Sequence, residues 1–106
     1  MSMGPIAARH ARTVLEHVQR ILAIELLVAA QAIDHRLELL ASEGASGADR
    51  GADGSPTPGA GVAEAHRRIR AVVTLVRADR EPGPDLAAAT RLVRDGAMVD
   101  LVEATT

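Results

Sequence analysis

Ile21-Leu22-Ala23-Ile24-Glu25-Leu26-Leu27-Val28-Ala29-Ala30-Gln31-Ala32-Ile33 carries only two polar side chains, Glu25 and Gln31. Ala and Leu, both strong helix formers, dominate it. A helix that is apolar on every side is surrounded on every side, so this belt is expected in the interior of something larger. It falls short of the roughly 20 apolar residues needed to span a bilayer.

Working outward toward the N-terminus, the sequence opens with Ser2-Met3-Gly4-Pro5. Ser2 or Gly4 suits an N-cap, and Pro5 suits a first helical turn, where its missing N–H has no partner to lose. No Pro or Gly follows until residue 44. The pattern predicts one helix over residues 5–40, about 54 Å long at 1.5 Å per residue, which is more than one small domain can enclose. Two apolar stripes run along it at three- and four-residue steps. Ala7, Ala11, Val14, Val18, Ile21, Val28 and Ala32 form one; Leu15, Leu22, Leu26, Ala29, Ile33, Leu37 and Leu40 form the other. Arg9, Arg12, Glu16, Gln19 and Arg20 keep a polar side over the first turns.

Toward the C-terminus, residues 42–61 read SEGASGADRGADGSPTPGAG. Gly, Ala, Ser, Asp and Pro bury too little apolar surface to offset chain entropy, so a disordered linker is expected. Helical periodicity returns over residues 62–76, with Val62, Ala65, Ile69, Val72, Val73 and Val76 on one face and His66, Arg67, Arg68 and Arg70 toward the other. Asp79-Arg80-Glu81-Pro82-Gly83-Pro84 breaks the chain. Asp85 then caps a short helix over residues 86–95, with Leu86, Ala89, Leu92 and Val93 inward and Gly96 closing it. Residues 97–106 carry no clear pattern. The expected fold class is all-α: one long helix plus two shorter helices joined by a disordered Gly/Ala/Ser/Pro-rich linker. Residues 1–41 are the long core helix, 42–61 the flexible linker and 62–106 a C-terminal helical segment, together one partial domain.

Composition narrows the function. The chain has 106 residues, a formal net charge of −2 and no Phe, Tyr, Trp or Cys. Any core is built from Ala, Leu, Ile and Val, and an enzyme pocket without one aromatic side chain would be unusual. The basic residues are all Arg and dispersed along the sequence, which implies no nucleic-acid-binding patch. The absence of cysteine excludes disulfides and thiolate metal sites. Arg9, His10 and Arg12 interrupt the start where a signal peptide would be continuously apolar. A cytoplasmic protein with neither a nucleic-acid nor a membrane partner is the expectation.

Residues that could carry chemistry are few. His10 and His17 share a helix face but lie two turns apart, about 10 Å, too far to hold one metal ion alone. His35 and His66 flank the linker, and no HxxxH or HExxH spacing occurs. All four histidines read as solvated helix-surface groups. Glu25, a carboxylate in the apolar belt, could act as an acid or base, but buried polar groups need partners, so contacts of Glu25 and Gln31 across helix–helix interfaces are the preferred reading. Arg67-Arg68-Ile69-Arg70 reads as a solvated or salt-bridging face. No residue is assigned a catalytic, cofactor-binding or metal-binding role.

The run Ser2-Met3-Gly4-Pro5-Ile6-Ala7-Ala8-Arg9, then Val14, then the stretch from Ile21 to Asp34, resembles the C-terminal region of the aromatic amino acid lyases, specifically the histidine ammonia-lyases. Asp79-Arg80 and Pro84-Asp85-Leu86 with the helix closing near Gly96 are similar to the family's final segment. The resemblance implies a largely helical homotetramer of histidine catabolism that converts L-histidine to urocanate plus ammonia. It also implies a methylidene-imidazolone electrophile cyclised from an internal Ala-Ser-Gly that lies outside the matching region. Ala45-Ser46-Gly47 departs from that pattern: it is followed by Ala48-Asp49 rather than Asp-Leu and sits in the Gly-rich linker, where such a tripeptide arises from composition. The family's Gln-Glu-Asp motif belongs just before Ser2-Met3-Gly4, and its catalytic tyrosines have no counterpart. The expectation is a fragment, a helical scaffold and oligomerisation region that is not catalytic by itself and pairs through the long helix with other copies or with the missing N-terminal portion. The alternative is a stand-alone helical self-association module without enzymatic activity.

Overall fold

The computed structural model describes residues 3–43 and 57–103, and among them every regular element is helical. The order is α1 (Gly4–Glu43), α2 (Ala60–Arg70), α3 (Gly83–Arg94) and α4 (Val99–Glu103). The all-α expectation holds. Ala45-Ser46-Gly47 and most of the expected linker lie outside the described residues, while the linker's two ends, Ser42-Glu43 and Ala60-Gly61, are turns of α1 and α2.

α1 runs one turn past the expected end because Ala41, Ser42 and Glu43 contain no breaker, and the first Gly after Gly4 is Gly44. Its 40 residues make it about 60 Å long, close to the longest dimension of the molecule, 67 Å. α3 packs along the middle of α1, and α2 meets α1 further toward its C-terminal end. The crossing uses small residues: Ala23 and Ala30 on α1 and Ala89 on α3 are enclosed, at 0%, 1% and 0% exposure. Ala at these positions lets two backbones approach more closely than Leu would. Around them Ile69 and Val73 are buried with Ala30, and Leu26, Leu27, Ala88, Leu92 and Met98 pack against that cluster.

The second helix ends earlier than its apolar pattern suggested. Arg70 is its last residue, and the chain turns through Ala71 and Val72 into an irregular run. Of the six residues expected on one face, Ile69 and Val73 are buried, whereas Val62, Val72 and Val76 remain exposed. β-branched Val72, Val73 and Thr74 have low helix propensity. Gln31 offers the alternative: its side-chain amide donates to the Val76 carbonyl at 2.8 Å and accepts from the Val76 N–H at 3.2 Å, as a neighbouring strand would.

The third helix begins three residues before the expected start. Pro82 is its N-cap and Pro84 lies in its first turn, a position that suits proline; the Pro82 carbonyl accepts the Leu86 N–H at 2.9 Å. Asp85 therefore sits inside the helix and makes no cap hydrogen bond. Its carboxylate instead takes two contacts from Arg80, at 3.0 Å from Nε and 2.9 Å from Nη2. Arg80 also donates to the Thr74 hydroxyl and carbonyl at 2.9 and 2.6 Å, which holds the loop closed.

Gly96 ends α3 as expected, with φ +68°. The Ala97 N–H reaches the Leu92 carbonyl at 3.1 Å and the Gly96 N–H reaches Val93 at 3.2 Å, the paired bonds of a Schellman cap. A side chain at Gly96 would be strained by that left-handed backbone. The turn delivers α4, an element the sequence left unassigned, against α2.

Candidate functional site

Two features concentrate what this chain can do: a polar seam where α2 is tied to its neighbours, and an apolar face of α1 that nothing described covers.

The seam centres on Asp34. One turn beyond the buried Ala30, its carboxylate faces α2 and is only 18% exposed. Oδ1 lies 2.9 Å from His66 Nε2, and Oδ2 accepts the Arg70 Nε–H at 2.8 Å. Arg70 Nη2, itself enclosed, approaches the same oxygen at 2.7 Å without hydrogen-bond alignment. Arg70 Nη1 turns back to the Val73 carbonyl at 3.1 Å. Burial acts to raise the Asp34 pKa, but the hydrogen bonds and charges of His66 and Arg70 together outweigh it and hold the carboxyl below its ordinary range.

This corrects two sequence expectations. His66 is not a solvated surface group, and His66 and Arg70 point toward α1 rather than away from it. His66 and Arg70 lie four residues apart, one helical turn, and so share a face. What the apolar pattern of α2 could not reveal is that this face meets a carboxylate. His10, His17 and His35 are exposed as expected, with His35 Nε2 3.1 Å from the Gln31 amide.

Arg67 and Arg68 complete the salt-bridging reading of the Arg run. Glu64 Oε1 is 2.6 Å from Arg67 Nη2 and 2.8 Å from Arg68 Nε, and hydrogen bonds from both guanidiniums draw the Glu64 pKa down to about 2. Arg68 also grips α4, with contacts at 2.6 and 2.8 Å to the two Asp100 oxygens and 2.6 Å to the Ala97 carbonyl. Its own pKa rises, first through Asp100 and then through Glu64.

Gln31 meets a partner as expected, but that partner is the Val76 backbone in an irregular segment of the same chain, not another helix. Glu25 is exposed beside an open cleft of about 510 Å³ between α1 and the α3–α4 turn, next to Leu22, Leu26, Leu92, Met98 and Val99. A second cleft, about 490 Å³, lies between α1 and the loop before α3, where Leu27, Val28, Val73, Val76 and Pro82 surround Gln31 and His35. Both are chiefly apolar. Neither brings together a nucleophile, a general base and an oxyanion donor. Among the described residues no three His, Asp or Glu side chains converge as a metal site, no helix is long and apolar enough to cross a membrane, and none of them forms an Ala-Ser-Gly that could cyclise to an electrophile.

The open face is the first of the two stripes. Val14, Val18, Ile21 and Val28 are 60, 43, 55 and 63% exposed, and Ala7, Ala11 and Ala32 are exposed beside them. Leu15, Leu22 and Ile24 add to it, at 57, 42 and 49%. From Gly4 to Val18 every residue of α1 is exposed. A monomer rarely leaves so much contiguous apolar surface without a partner.

Comparison with known proteins gives this geometry a context. The profile of the aromatic amino acid lyases matches residues 1–71. The histidine ammonia-lyase of Sorangium cellulosum (strain So ce56) is 42% identical over 103 residues, which cover 97% of this chain and 17% of that protein. Those of Anaeromyxobacter dehalogenans (strain 2CP-C) and Symbiobacterium thermophilum (strain DSM 24528 / JCM 14929 / IAM 14863 / T) are 42% and 40% identical, over 92% and 98% of this chain and 16% and 17% of theirs. No solved structure matches. The chain thus spans about a sixth of the length of the curated relatives it matches, and over that span it belongs to the aromatic amino acid lyase family.

Proposed function

We propose that the chain is the C-terminal helical scaffold and oligomerisation region of a histidine ammonia-lyase-like enzyme, a cytoplasmic homotetramer of histidine catabolism, and that it is not catalytic by itself. The observation that carries this reading is the uncovered stripe of α1, Val14, Val18, Ile21 and Val28, on a helix whose other face is already occupied by α3. An apolar face of this length is stabilised only against further helices, and relatives about six times the length of the matched segment have the additional chain to provide them. Their shared name favours L-histidine over tyrosine or phenylalanine as the substrate of the whole enzyme, with urocanate and ammonia as products. The methylidene-imidazolone group that the family reaction uses would come from another part of the lyase, and no step of the chemistry is assigned to a residue of this chain.

The test has two arms. The purified 106-residue chain should give no urocanate from L-histidine, followed as the absorbance of the conjugated product. Co-expressed with the Sorangium enzyme truncated before its matching segment, it should restore turnover. Robust activity of the pure chain would refute the non-catalytic assignment. Self-association without any restored turnover would instead favour a stand-alone helical association module, the second reading that the same open face supports.

A further inference from the structure

Six of the twelve arginines of this chain are neutralised within it. Arg12, Arg67, Arg68, Arg70, Arg77 and Arg80 each have a carboxylate within ion-pair distance. Among the described residues, Arg9, Arg20, Arg36, Arg91 and Arg94 have none. Three of those five, Arg20 from α1 and Arg91 and Arg94 from α3, line a single groove of about 420 Å³. Arg91 and Arg94 share the last turn of α3, and the packing of α3 on α1 brings Arg20 to them.

No carboxylate lines that groove. Glu16, one turn before Arg20, is engaged by Arg12 at 3.5 Å. Thr90 adds a hydroxyl whose proton is committed to the Leu86 carbonyl at 2.7 Å, and Leu86 and Ala87 supply an apolar wall. Gly83, the first residue of α3, lies at the other end, where the helix has no side-chain cap; its positive dipole end has the same sign as the arginines. Arg91 makes one long contact, 3.5 Å from Nε to the Ala87 carbonyl, which leaves the outer edge of its guanidinium open. In a chain of net charge −2, this is a local concentration of unneutralised positive charge.

We propose that this groove binds a small organic anion, with a phosphate or carboxylate group held by Arg91 and Arg94, Arg20 closing from α1, and an apolar body resting on Leu86 and Ala87. The planar guanidinium fork suits either oxyanion, and the volume falls within the range of small-molecule sites. Confinement of the charge to one groove, in a chain that is acidic overall, argues against a nucleic acid, which would need an extended basic surface.

The test uses the full 106-residue chain, titrated at constant ionic strength with phenyl phosphate, benzoate, inorganic phosphate and benzyl alcohol and followed by calorimetry. Phenyl phosphate and benzoate should saturate one site, inorganic phosphate should bind more weakly, and benzyl alcohol should not bind. Arg91→Gln with Arg94→Gln should weaken phenyl phosphate about tenfold or more, whereas Arg9→Gln with Arg36→Gln should leave it unchanged. Circular dichroism verifies that helix content is retained. If the α3 pair loses helicity, Arg20→Gln on the other helix makes the same test. Non-saturating heats that respond equally to both variant pairs would overturn the proposal as an ionic-strength effect. Saturation by an acidic hexapeptide with none by phenyl phosphate or benzoate would overturn it in favour of a protein-docking surface.

Discussion

Replacing Asp34 with Ala leaves the Arg70 guanidinium and the His66 ring, side by side on α2, without the carboxylate that meets them across a half-closed seam. The Asp34, His66 and Arg70 side chains are 18, 19 and 17% exposed. Breaking a fully buried ion pair from one side costs about 3–5 kcal/mol, and an exposed pair contributes about 0–1. These groups are about four-fifths enclosed but each keeps an edge to water, so the expected loss for Asp34→Ala is about 2–3 kcal/mol. Asp34→Asn keeps the shape and one acceptor oxygen but loses the charge, for about 1–2 kcal/mol. The informative variant is the pair Asp34→Ala with Arg70→Met. Removing the stranded cation should recover part of the loss, because an apolar replacement of both partners is often close to neutral. The assay is urea unfolding followed by far-ultraviolet circular dichroism, with linear extrapolation and a fixed protein concentration, since self-association would otherwise move the midpoint. A loss below about 0.5 kcal/mol for Asp34→Ala would refute the claim that the seam ties α2 to α1, since surface changes fall within that range. A double variant less stable than the sum of its single losses would refute the stranded-cation explanation.

Three further outcomes follow from the same contacts. Glu64, Asp34 and Asp100 have folded-state pKa values below their ordinary ones, Glu64 falling from 4.5 to about 2; their contribution is therefore complete above the unfolded values and lost as pH falls. The urea midpoint should be flat down to about pH 5 and then drop toward pH 2, less steeply in Glu64→Gln, and a flat profile to pH 2.5 would remove these pairs from the account. Gln31→Ala releases both backbone groups of Val76 and should cost about 1 kcal/mol, with faster hydrogen exchange at the Val76 amide as the local readout. Val14→Glu with Ile21→Glu places charge on the open stripe at side chains that are 60 and 55% exposed; sedimentation velocity should shift toward the monomer, and an unchanged distribution would place the association surface elsewhere.

The long helix was legible because its information is local. Pro5 at the start, the uninterrupted Ala and Leu content and the first Gly at residue 44 need no tertiary contact to be read, and they placed the helix to within a turn. Gly96 was legible for the same reason: a glycine after an amphipathic run is the signature of a left-handed cap. Errors gathered where a distant partner decides. The apolar pattern of residues 62–76 favoured a continuing helix, whereas the chain leaves the helix after Arg70 and Val76 pairs with Gln31, 45 residues before it. Asp85 has the right chemistry for a cap, yet Arg80 offers a full charge where the helix offers only backbone N–H groups, so the carboxylate follows the arginine and the helix begins on Pro82. His66 reads as a solvated group from sequence because Asp34, 32 residues earlier, is invisible to any pattern within α2.

The apolar belt of residues 21–33 is a different case, because the sequence supported a statement about surroundings that one chain cannot satisfy. Within the chain, α3 and the loop after α2 take only the side of α1 that carries Ala23, Leu26, Leu27 and Ala30. Ile21, Ile24 and Val28 stay between 49 and 63% exposed. Burying the exposed half of one such side chain is worth about 1 kcal/mol, so Val14, Val18, Ile21, Ile24 and Val28 together offer several kcal/mol to whatever covers them. The small residues explain why the two sides differ. Alanines at the α3 crossing allow a close, specific approach that α3 can satisfy alone. The branched side chains on the opposite side project further and suit a broad helical surface rather than one short helix. The belt therefore has two unlike sides: one that α3 occupies within the chain, and one that the described residues leave open.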